Sequence, residues 1–302
     1  MCRIINYGSL NIDKVYTVDA FVRPGETIHA RSYELFPGGK GLNQSVAAAR
    51  AGSTVLHVGC IGSEGDFLLK TLKDAGVQTR LVWRHGPTTG HAVIQVNASG
   101  ENYIIIHGGS NQAIPDDLRK QALQELQPGD ILTLQNEVNG NLAMIEGARS
   151  KKARVALNPS PFDASIEELP LDLVSWLFIN KLEGAGLTGQ HCPEAICRAL
   201  LARFPGLAVV LTLGDEGSLY WDAHTRIHQK AYEVCVLDTT AAGDTFTGFF
   251  LSGLARNLPL QTCLQVASKA AALTVSKKGA SVAIPTLEAV EKASLPLREG
   301  AG

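Results

Sequence analysis

Short apolar segments of strand length alternate with helical patterns along most of the chain. The strand-like segments lie at 3–9, 54–62, 130–135, 153–161, 173–180 and 207–214, and the helical patterns at 41–52, 64–76, 141–150 and 194–204. Such alternation favours a parallel sheet that helices cover on both faces. We therefore predict an α/β fold with a central, mostly parallel sheet flanked by helices. Since ligands bind beyond the carboxyl ends of such strands, the residues that follow each strand are the site candidates.

Two stretches depart from this alternation. Residues 15–36 include a run in which polar and apolar residues alternate, and residues 91–108 form two strand patterns joined by a glycine-containing turn. They indicate a small antiparallel sheet, either as ordinary edge hairpins or as a lid over the carboxyl edge of the main sheet, and the lid is favoured. Because the sequence has no repeat or low-complexity linker, we predict one domain over 1–302 with lid segments at about 13–36 and 89–108.

Composition narrows the classes of partner. Hydrophobic residues make up 45% of the 302 residues, which suffices for a large core. The net charge of −2 and the lack of a basic stripe argue against nucleic-acid binding. Six cysteines without a Cys-x-x-Cys pair fit a reducing compartment. With neither a signal-peptide pattern nor an apolar run of about 18 residues, the sequence predicts a cytoplasmic protein with no membrane partner.

The stretch DTTAAGDTF, at 238–246, leads from an apolar segment read as a strand (233–238) into a strongly apolar helical pattern. A helix N-terminus exposes unpaired N–H groups and a partial positive charge. Ala241, Ala242 and Gly243 have little or no side chain, so a phosphate can approach those N–H groups closely. Asp244 is either a helix cap or a base that takes a proton from an attacking hydroxyl. The repulsion between a carboxylate and a phosphate favours the base.

A second glycine turn, PGGKG at 37–41, precedes another helical pattern. It is not a Walker A loop, which requires Gly-x-x-x-x-Gly-Lys-Ser/Thr. Its glycines place the polar side chains of Lys40 and Asn43 beside a tight backbone turn. An ordinary loop-to-helix turn is an equal alternative from this motif alone.

Polar residues also follow several of the strand segments. Asn11, Asp13 and Glu137 could bind the hydroxyls of a small polyol, although each taken singly also reads as a surface or capping residue. Asn180 and Glu183 offer oxygen ligands to a magnesium ion that keeps several waters. TLGDEG, at 212–217, is a turn after a strand that leaves room for a nucleotide.

Taken together, these motifs resemble the signatures of one family, the ribokinase-like (PfkB-type) carbohydrate kinases. SLNID (9–13) resembles the family's sugar motif, PGGKGLNQSVAAARAG (37–52) its first signature and DTTAAGDTFTGFF (238–250) its second and more specific one. NASGENYIIIHGGSNQAI (97–114) is similar to the family's lid. The resemblance runs from Asn6 to about Pro285, nearly the whole chain.

The resemblance implies a role for each matching position. Sugar hydroxyls would bind at Asn11, Asp13, Gly39, Lys40, Asn43 and Glu137. Asp244 would be the catalytic base, with Ala241, Ala242 and Gly243 forming the anion hole. ATP would lie against Asn180, Thr212, Gly214, Gly217, Gly243 and Ser268, with Mg²⁺ near Asn180 and Glu183. A potassium ion would lie near Asp238, Thr240 and Gly279, although Ala283 stands where the family has a serine ligand.

The resemblance therefore implies transfer of the γ-phosphoryl of ATP to the primary hydroxyl of a pentose, with ribose as the first choice. It also implies Mg²⁺, K⁺ and a homodimer joined through the lid. One alternative is a kinase for deoxyribose, a ketohexose, a sugar acid or a nucleoside. A second is a sensor that binds sugar or nucleotide without catalysis. An unrelated α/β domain would require both glycine turns to be coincidental.

Overall fold

The computed structural model describes residues 2–298, which form two β-sheets and the helices that cover the larger one. The strands are β1 Ile4–Tyr7, β2 Asn11–Thr17, β3 Ser32–Gly38, β4 Val55–Ile61, β5 Gln78–Arg84, β6 Gly90–Val96, β7 Asn102–His107, β8 Ile131–Gln135, β9 Arg154–Asn158, β10 Trp176–Asn180, β11 Ala208–Thr212, β12 Ser218–Trp221 and β13 Arg226–Gln229. The helices are α1 Lys40–Arg50, α2 Asp66–Asp74, α3 Asp116–Glu125, α4 Asn141–Ser150, α5 Lys181–Thr188, α6 Pro193–Arg203, α7 Ala242–Ala255, α8 Leu260–Val275 and α9 Leu287–Lys292.

The large sheet has the strand order β13-β12-β11-β10-β9-β8-β1-β4-β5. All its pairings from β11 to β5 are parallel, and only β12 and β13 add antiparallel pairings at one edge. Every residue of β4 is buried, as expected for a strand covered on both faces. The predicted α/β fold with a mostly parallel central sheet is confirmed.

Two apolar clusters fill the space between this sheet and its helices, one on each face. The first contains residues of α1, α7 and α8, among them Phe246, Phe249 and Phe250. The second contains residues of α3, α4 and α6. In such a sheet, ligands bind beyond the carboxyl ends of the parallel strands.

The second sheet has the order β3-β2-β6-β7 and corresponds to the predicted lid segments. Its outer pairings are antiparallel, whereas its central pairing, β2 with β6, is parallel. The reason is that β2 and β6 both begin a few residues after a large-sheet strand ends, β1 and β5 respectively. They therefore leave the same edge in the same direction. The strand β7 is exposed along its whole length, although four of its six residues are Tyr or Ile.

Residues 233–238, which the apolar pattern predicts as a strand, form none. The N–H groups of Leu237 and Asp238 donate to the Val275 carbonyl oxygen at 2.8 and 3.2 Å. Tyr232 forms an isolated bridge with Leu297, near the end of the described chain. The partners of this segment therefore come from the end of α8 and from the C-terminal segment, and no strand within residues 2–298 pairs with it along its length.

No helix within residues 2–298 is long and apolar enough to cross a membrane. All six cysteines are free thiols in the described part of the chain.

Candidate active site

The first turn of α7 holds the predicted anion cradle. Ala241 caps the helix in the left-handed conformation, with φ of 62°, and its carbonyl oxygen accepts the Thr245 N–H at 2.8 Å. The Ala242 N–H makes a long bond of 3.3 Å to the Thr239 carbonyl oxygen. Gly243 has helical backbone, and a Cβ placed on it would have no atom within 4 Å. The fold itself therefore does not require glycine at this position, whereas the open space beside it can admit a ligand.

Two cavities meet at this turn. The larger cavity, of about 390 Å³, is lined by five of the predicted ATP residues: Thr212, Gly214, Gly217, Gly243 and Ser268. The smaller, of about 240 Å³, is lined by the other predicted ATP residue, Asn180, and by Lys40, Glu183 and Asp244. Thr212, Thr239, Ala242 and Gly243 line both. A ligand in the larger cavity can thus extend past the helix N-terminus towards Asp244.

Asp244 is buried, with 7% of its surface exposed, and both carboxylate oxygens accept hydrogen bonds from α1. Asn43 Nδ2 donates to Oδ2 at 3.0 Å, and Gln44 Nε2 donates to Oδ1 at 3.0 Å. These bonds bring the two glycine-rich motifs together, although they lie about 200 residues apart in the chain. An aspartate that served only as a cap would direct its carboxylate to the N–H groups of its own helix. This carboxylate is instead bound by another helix.

A second group of acidic side chains lies on the sugar side predicted from the sequence. Burial, followed by the charges of Glu137 and Asp244, raises the pKa of Asp13 to about 7. Burial also raises the pKa of Glu137, although Lys40 and Ser9 oppose the shift. Burial acts to lower the pKa of Lys40, but the carboxylates around it outweigh burial and raise the pKa. Lys40 is thus a partly buried cation within a group of acids, where its charge is retained.

Polar contacts hold the sugar-side residues in place. Glu137 Oε2 accepts the backbone N–H of Lys40 at 3.0 Å and also the Ser9 hydroxyl. Asn11 Oδ1 accepts Asn111 Nδ2 at 2.7 Å, which orients the Asn11 amide. These contacts connect the end of β1, the start of α1 and the loop after β8.

The glycine turn at 38–41 is required by close packing. Gly39 has φ of 92°, and a Cβ there would lie 2.9 Å from the backbone nitrogen of Asn11. A Cβ on Gly41 would lie 2.3 Å from the nitrogen of Ser9. A Cβ on Gly38 would overlap the carboxylate of Asp13. The turn is therefore more than an ordinary loop, because its glycines allow the start of α1 to pack against the loop after β1.

Asn180 and Glu183 form a capping box at the start of α5. Asn180 Oδ1 accepts the Glu183 N–H at 2.9 Å, and Glu183 Oε2 accepts the Asn180 N–H at 3.0 Å. Within residues 2–298 no three His, Cys, Asp or Glu side chains are grouped so as to hold a metal ion. A single carboxylate beside a cavity fits a Mg²⁺ ion that keeps its waters and binds mainly to phosphate oxygens. Of the two residues predicted near magnesium, Glu183 is the one that has a carboxylate.

Asp238 is hydrogen-bonded to the other two residues predicted around a potassium ion, Thr240 and Gly279. Its Oδ1 accepts the Thr240 N–H at 2.9 Å, and its Oδ2 accepts the Gly279 N–H at 3.0 Å. Burial acts to raise the pKa of Asp238, but these hydrogen bonds outweigh burial and lower it. Ala283 is buried and its methyl group provides no ligand, so a monovalent cation here would depend on Asp238 and backbone carbonyl groups.

Comparison with known proteins gives the family. Residues 1–287 match the pfkB family carbohydrate kinase profile. The ribokinase of Haemophilus influenzae is 36% identical over 290 residues, which cover 92% of this chain and 94% of that protein. The chain belongs to the pfkB family of carbohydrate kinases.

Other members of the pfkB family support this assignment. The structure of Arabidopsis thaliana ribokinase complexed with ribose and ATP is 30% identical, with a TM-score of 0.86 over 97% of this chain and 98% of that one. The deoxyribokinase of Salmonella typhi is 30% identical, over 93% of this chain and 95% of that protein. The similar proteins thus include kinases named for two related sugars, ribose and deoxyribose.

Several residues that line the two cavities were not singled out from the sequence. Asn158 and Ser160 line the smaller cavity. Asn158 ends β9 and Ser160 follows it, so the strand-end rule could have found them. Thr239 lies within the quoted second signature. Arg298, residues 231–234 and Val236 line the larger cavity. No local pattern shows that these last residues line a cavity, because they reach it through long-range pairing near the C-terminus.

The pKa of Asp13 generates a testable pH dependence. With a pKa of about 7 in the folded protein and 3.8 as its ordinary value, Asp13 keeps its proton in the folded state over a range where the unfolded chain has released it. The resulting stabilisation is fully present below the lower value and is lost as the pH rises through the higher one. We expect the free energy of unfolding of Asp13→Asn, minus that of the unmodified protein, to increase between about pH 4 and pH 7.

Urea unfolding of the sugar-free protein across that range measures this difference. A difference that stays constant with pH would contradict the raised pKa.

Gly243→Val tests whether the open space at α7 serves a ligand. Since the added side chain meets no protein atom near its Cβ, the free energy of unfolding should change by less than about 1 kcal/mol. The same side chain would occupy the wall shared by the two cavities, so nucleotide binding should weaken at least ~10-fold. Calorimetric titration with ATP measures the affinity. Unchanged affinity would show that the ligand does not use this turn.

Proposed function

We propose that the protein transfers the γ-phosphoryl group of ATP to the primary hydroxyl of a pentose, converting D-ribose to ribose 5-phosphate. The observation on which this proposal depends is the position of Asp244. Its carboxylate lies at the N-terminus of α7, lines the smaller cavity and binds Asn43 of the first glycine motif. A base between an anion cradle and a hydroxyl-binding group is the arrangement that phosphoryl transfer to an alcohol requires.

The sugar would lie beside the partly buried acids and the amides that surround the start of α1. Carboxylates accept hydroxyl hydrogens, while amides and the ammonium group of Lys40 can donate to hydroxyl oxygens. The residues assigned to this role are Asn11, Asp13, Gly39, Lys40, Asn43 and Glu137. The names of the relatives, ribokinases above all, support ribose as the acceptor.

The nucleotide would occupy the larger cavity, whose lining includes apolar side chains such as Val236, Phe246 and Val275. Its phosphates would extend past Gly243, where the N–H groups of the α7 N-terminus stabilise negative charge. Mg²⁺, when bound near Glu183, supplies further positive charge to the phosphate oxygens. We also assign a monovalent cation, K⁺, to Asp238, Thr240 and Gly279, which hydrogen bonds to Asp238 bring together.

Asp244 would accept the proton of the attacking hydroxyl as the new O–P bond forms and the bond to ADP breaks. In the sugar-free structure its Oδ2 binds Asn43, so the hydroxyl would take the place of that amide. Lys40, a cation with a raised pKa, would lie close to the transferring group. Positioning and charge stabilisation of this kind account for most of the catalysis in phosphoryl transfer.

The small sheet completes the proposal. We assign residues 1–302 to a single functional unit in which this sheet closes over the sugar and excludes water that would otherwise hydrolyse ATP. Its exposed strand β7 would pair with a second copy of the chain to form a homodimer. The free thiols fit a reducing compartment such as the cytoplasm.

A kinase for a related acceptor is the main alternative, because the deoxyribokinase of Salmonella typhi is nearly as similar as several ribokinases. A site that hydrogen-bonds a hydroxyl rejects an acceptor without it by a large factor. Comparison of ribose with 2-deoxyribose therefore discriminates between the two activities. A sensor without catalysis is disfavoured, because both the cradle and Asp244 are present.

ADP release measured with a panel of pentoses, hexoses and nucleosides tests the reaction. We expect release with ribose, much less with 2-deoxyribose, and dependence on Mg²⁺ and K⁺. Asp244→Asn should lower kcat by ~10²-fold or more, because it removes the proton acceptor. Release with another acceptor would keep the mechanism and change the substrate. Sugar binding without release from any acceptor would support the sensor.

The dimer has its own test. Ile105, at the centre of β7, is 68% exposed, and a lysine there would oppose strand pairing. We expect the unmodified protein to sediment as a dimer at micromolar concentration and Ile105→Lys to sediment as a monomer. Leu142→Lys, at an exposed position of α4, is the control and should stay dimeric. A monomeric unmodified protein would rule out this assembly.

A further inference from the structure

A chain of buried amide side chains leads from the core of the large sheet to Asp244. It consists of Asn6 on β1, Gln135 on β8 and Gln44 on α1, all at most 1% exposed. Gln135 Nε2 donates to Asn6 Oδ1 at 3.1 Å and to Gln44 Oε1 at 2.7 Å. Gln44 Nε2 then donates to Asp244 Oδ1 at 3.0 Å. The proposed phosphoryl transfer uses Asp244 but assigns nothing to these amides.

The direction of every bond in this chain follows from one backbone carbonyl group. The Gly41 oxygen can only accept, so the Asn6 atom at 2.8 Å from it must be Nδ2. Asn6 Oδ1 therefore faces Gln135, which must present Nε2. Gln135 Nε2 also faces the Gln44 amide, so the Gln44 atom that it contacts must be the acceptor, Oε1. The other atom of that amide, Nε2, then points at the Asp244 carboxylate. The orientation of the Gln44 amide is thus determined by hydrogen bonding.

Two further contacts hold this arrangement. Thr133 Oγ1 lies 3.4 Å from Gln44 Oε1 as a second donor to the same oxygen. Gly8 leaves the space that the amides occupy, since a Cβ there would lie 2.3 Å from Gln135 Oε1 and 2.7 Å from Asn6 Oδ1. A Gln44 amide turned over would place its nitrogen against the Gln135 Nε2 donor. It would also place its oxygen against a carboxylate.

We propose that Gln44 is a positioning residue for phosphoryl transfer. By holding Asp244 Oδ1, the amide fixes the rotation of the carboxylate and leaves Oδ2 as the oxygen that exchanges Asn43 for the sugar hydroxyl and accepts its proton. Gln44 touches neither substrate in this arrangement and acts through Asp244. The inference rests on the proposed role of Asp244 as the base.

Gln44→Met tests the proposal with a side chain of similar length that cannot donate. We expect kcat to fall ~10- to 100-fold, in line with loss of a hydrogen bond to a charged group, while KM for ribose and for ATP stays within about 3-fold. Gln229→Met is the matched control, because Gln229 is also buried and hydrogen-bonded through its amide but lies on β13. It should keep kcat within about 2-fold.

The double variant Asp244→Asn/Gln44→Met separates positioning from a general structural effect. Once the base is removed, its rotation no longer matters, so the double variant should be about as slow as Asp244→Asn alone. If the two losses multiply, or if kcat of Gln44→Met is unchanged, the inference is overturned. Should Gln44→Met fail to fold, Gln44→Glu is measured in its place. The Gln44→Glu side chain keeps an acceptor for Gln135 but places a carboxylate oxygen against Asp244. Its kcat, alone and combined with Asp244→Asn, is judged by the same two criteria.

The two proposals fail differently. If the unmodified protein phosphorylates no acceptor, or if Asp244→Asn is fully active, the proposed function fails and Gln44 has no base to position. If the unmodified protein is active and Asp244→Asn is not, the proposed function stands, and the Gln44 variants alone decide the positioning role.

Discussion

Close contact between α1 and α7 is the constraint on which the rest of the site depends. A Cβ on Gly248 would lie 2.5 Å from the Ala47 Cβ and 2.8 Å from the Gln44 carbonyl oxygen, so glycine allows the two helices to approach. That approach places the Asp244 carboxylate within 3.0 Å of both Asn43 and Gln44. A bulkier residue at the crossing would separate the base from the residues that bind and orient it, because packed helices cannot absorb such a change locally.

Beside the same crossing, several charged side chains are partly or fully buried. Asp13, Glu137 and Asp244 would repel one another, and Lys40 is a partly buried cation among them. The raised pKa values of Asp13 and Glu137 record the unfavourable burial of these acids. Such an arrangement lowers stability and is typical of sites where function requires it. Sugar hydroxyls would replace part of the missing solvation, which is a physical reason for a polyol to bind there.

Much of the fold was accessible from the order of the residues. Strand patterns such as 54–62 and helical patterns such as 141–150 depend on local periodicity, and the structure has strands and helices there. Residues 233–238 were predicted wrongly, because an apolar run does not show whether a neighbouring strand is available to pair with it. The parallel pairing of β2 with β6 and the contribution of Arg298 to the larger cavity likewise depend on partners far away in the chain.

The sequence by itself determined the α/β class, the two glycine turns and the residue types gathered around them, because each depends on short-range rules of backbone conformation and helix termini. Only the tertiary structure decided which oxygen of Asp244 binds Gln44, that Asn6 and Gln135 orient that amide, and that the two cavities meet at Gly243. Hydrogen bonds require atoms from distant segments to meet within about 3 Å. Such distances result from the packing of the whole core, which no local pattern records.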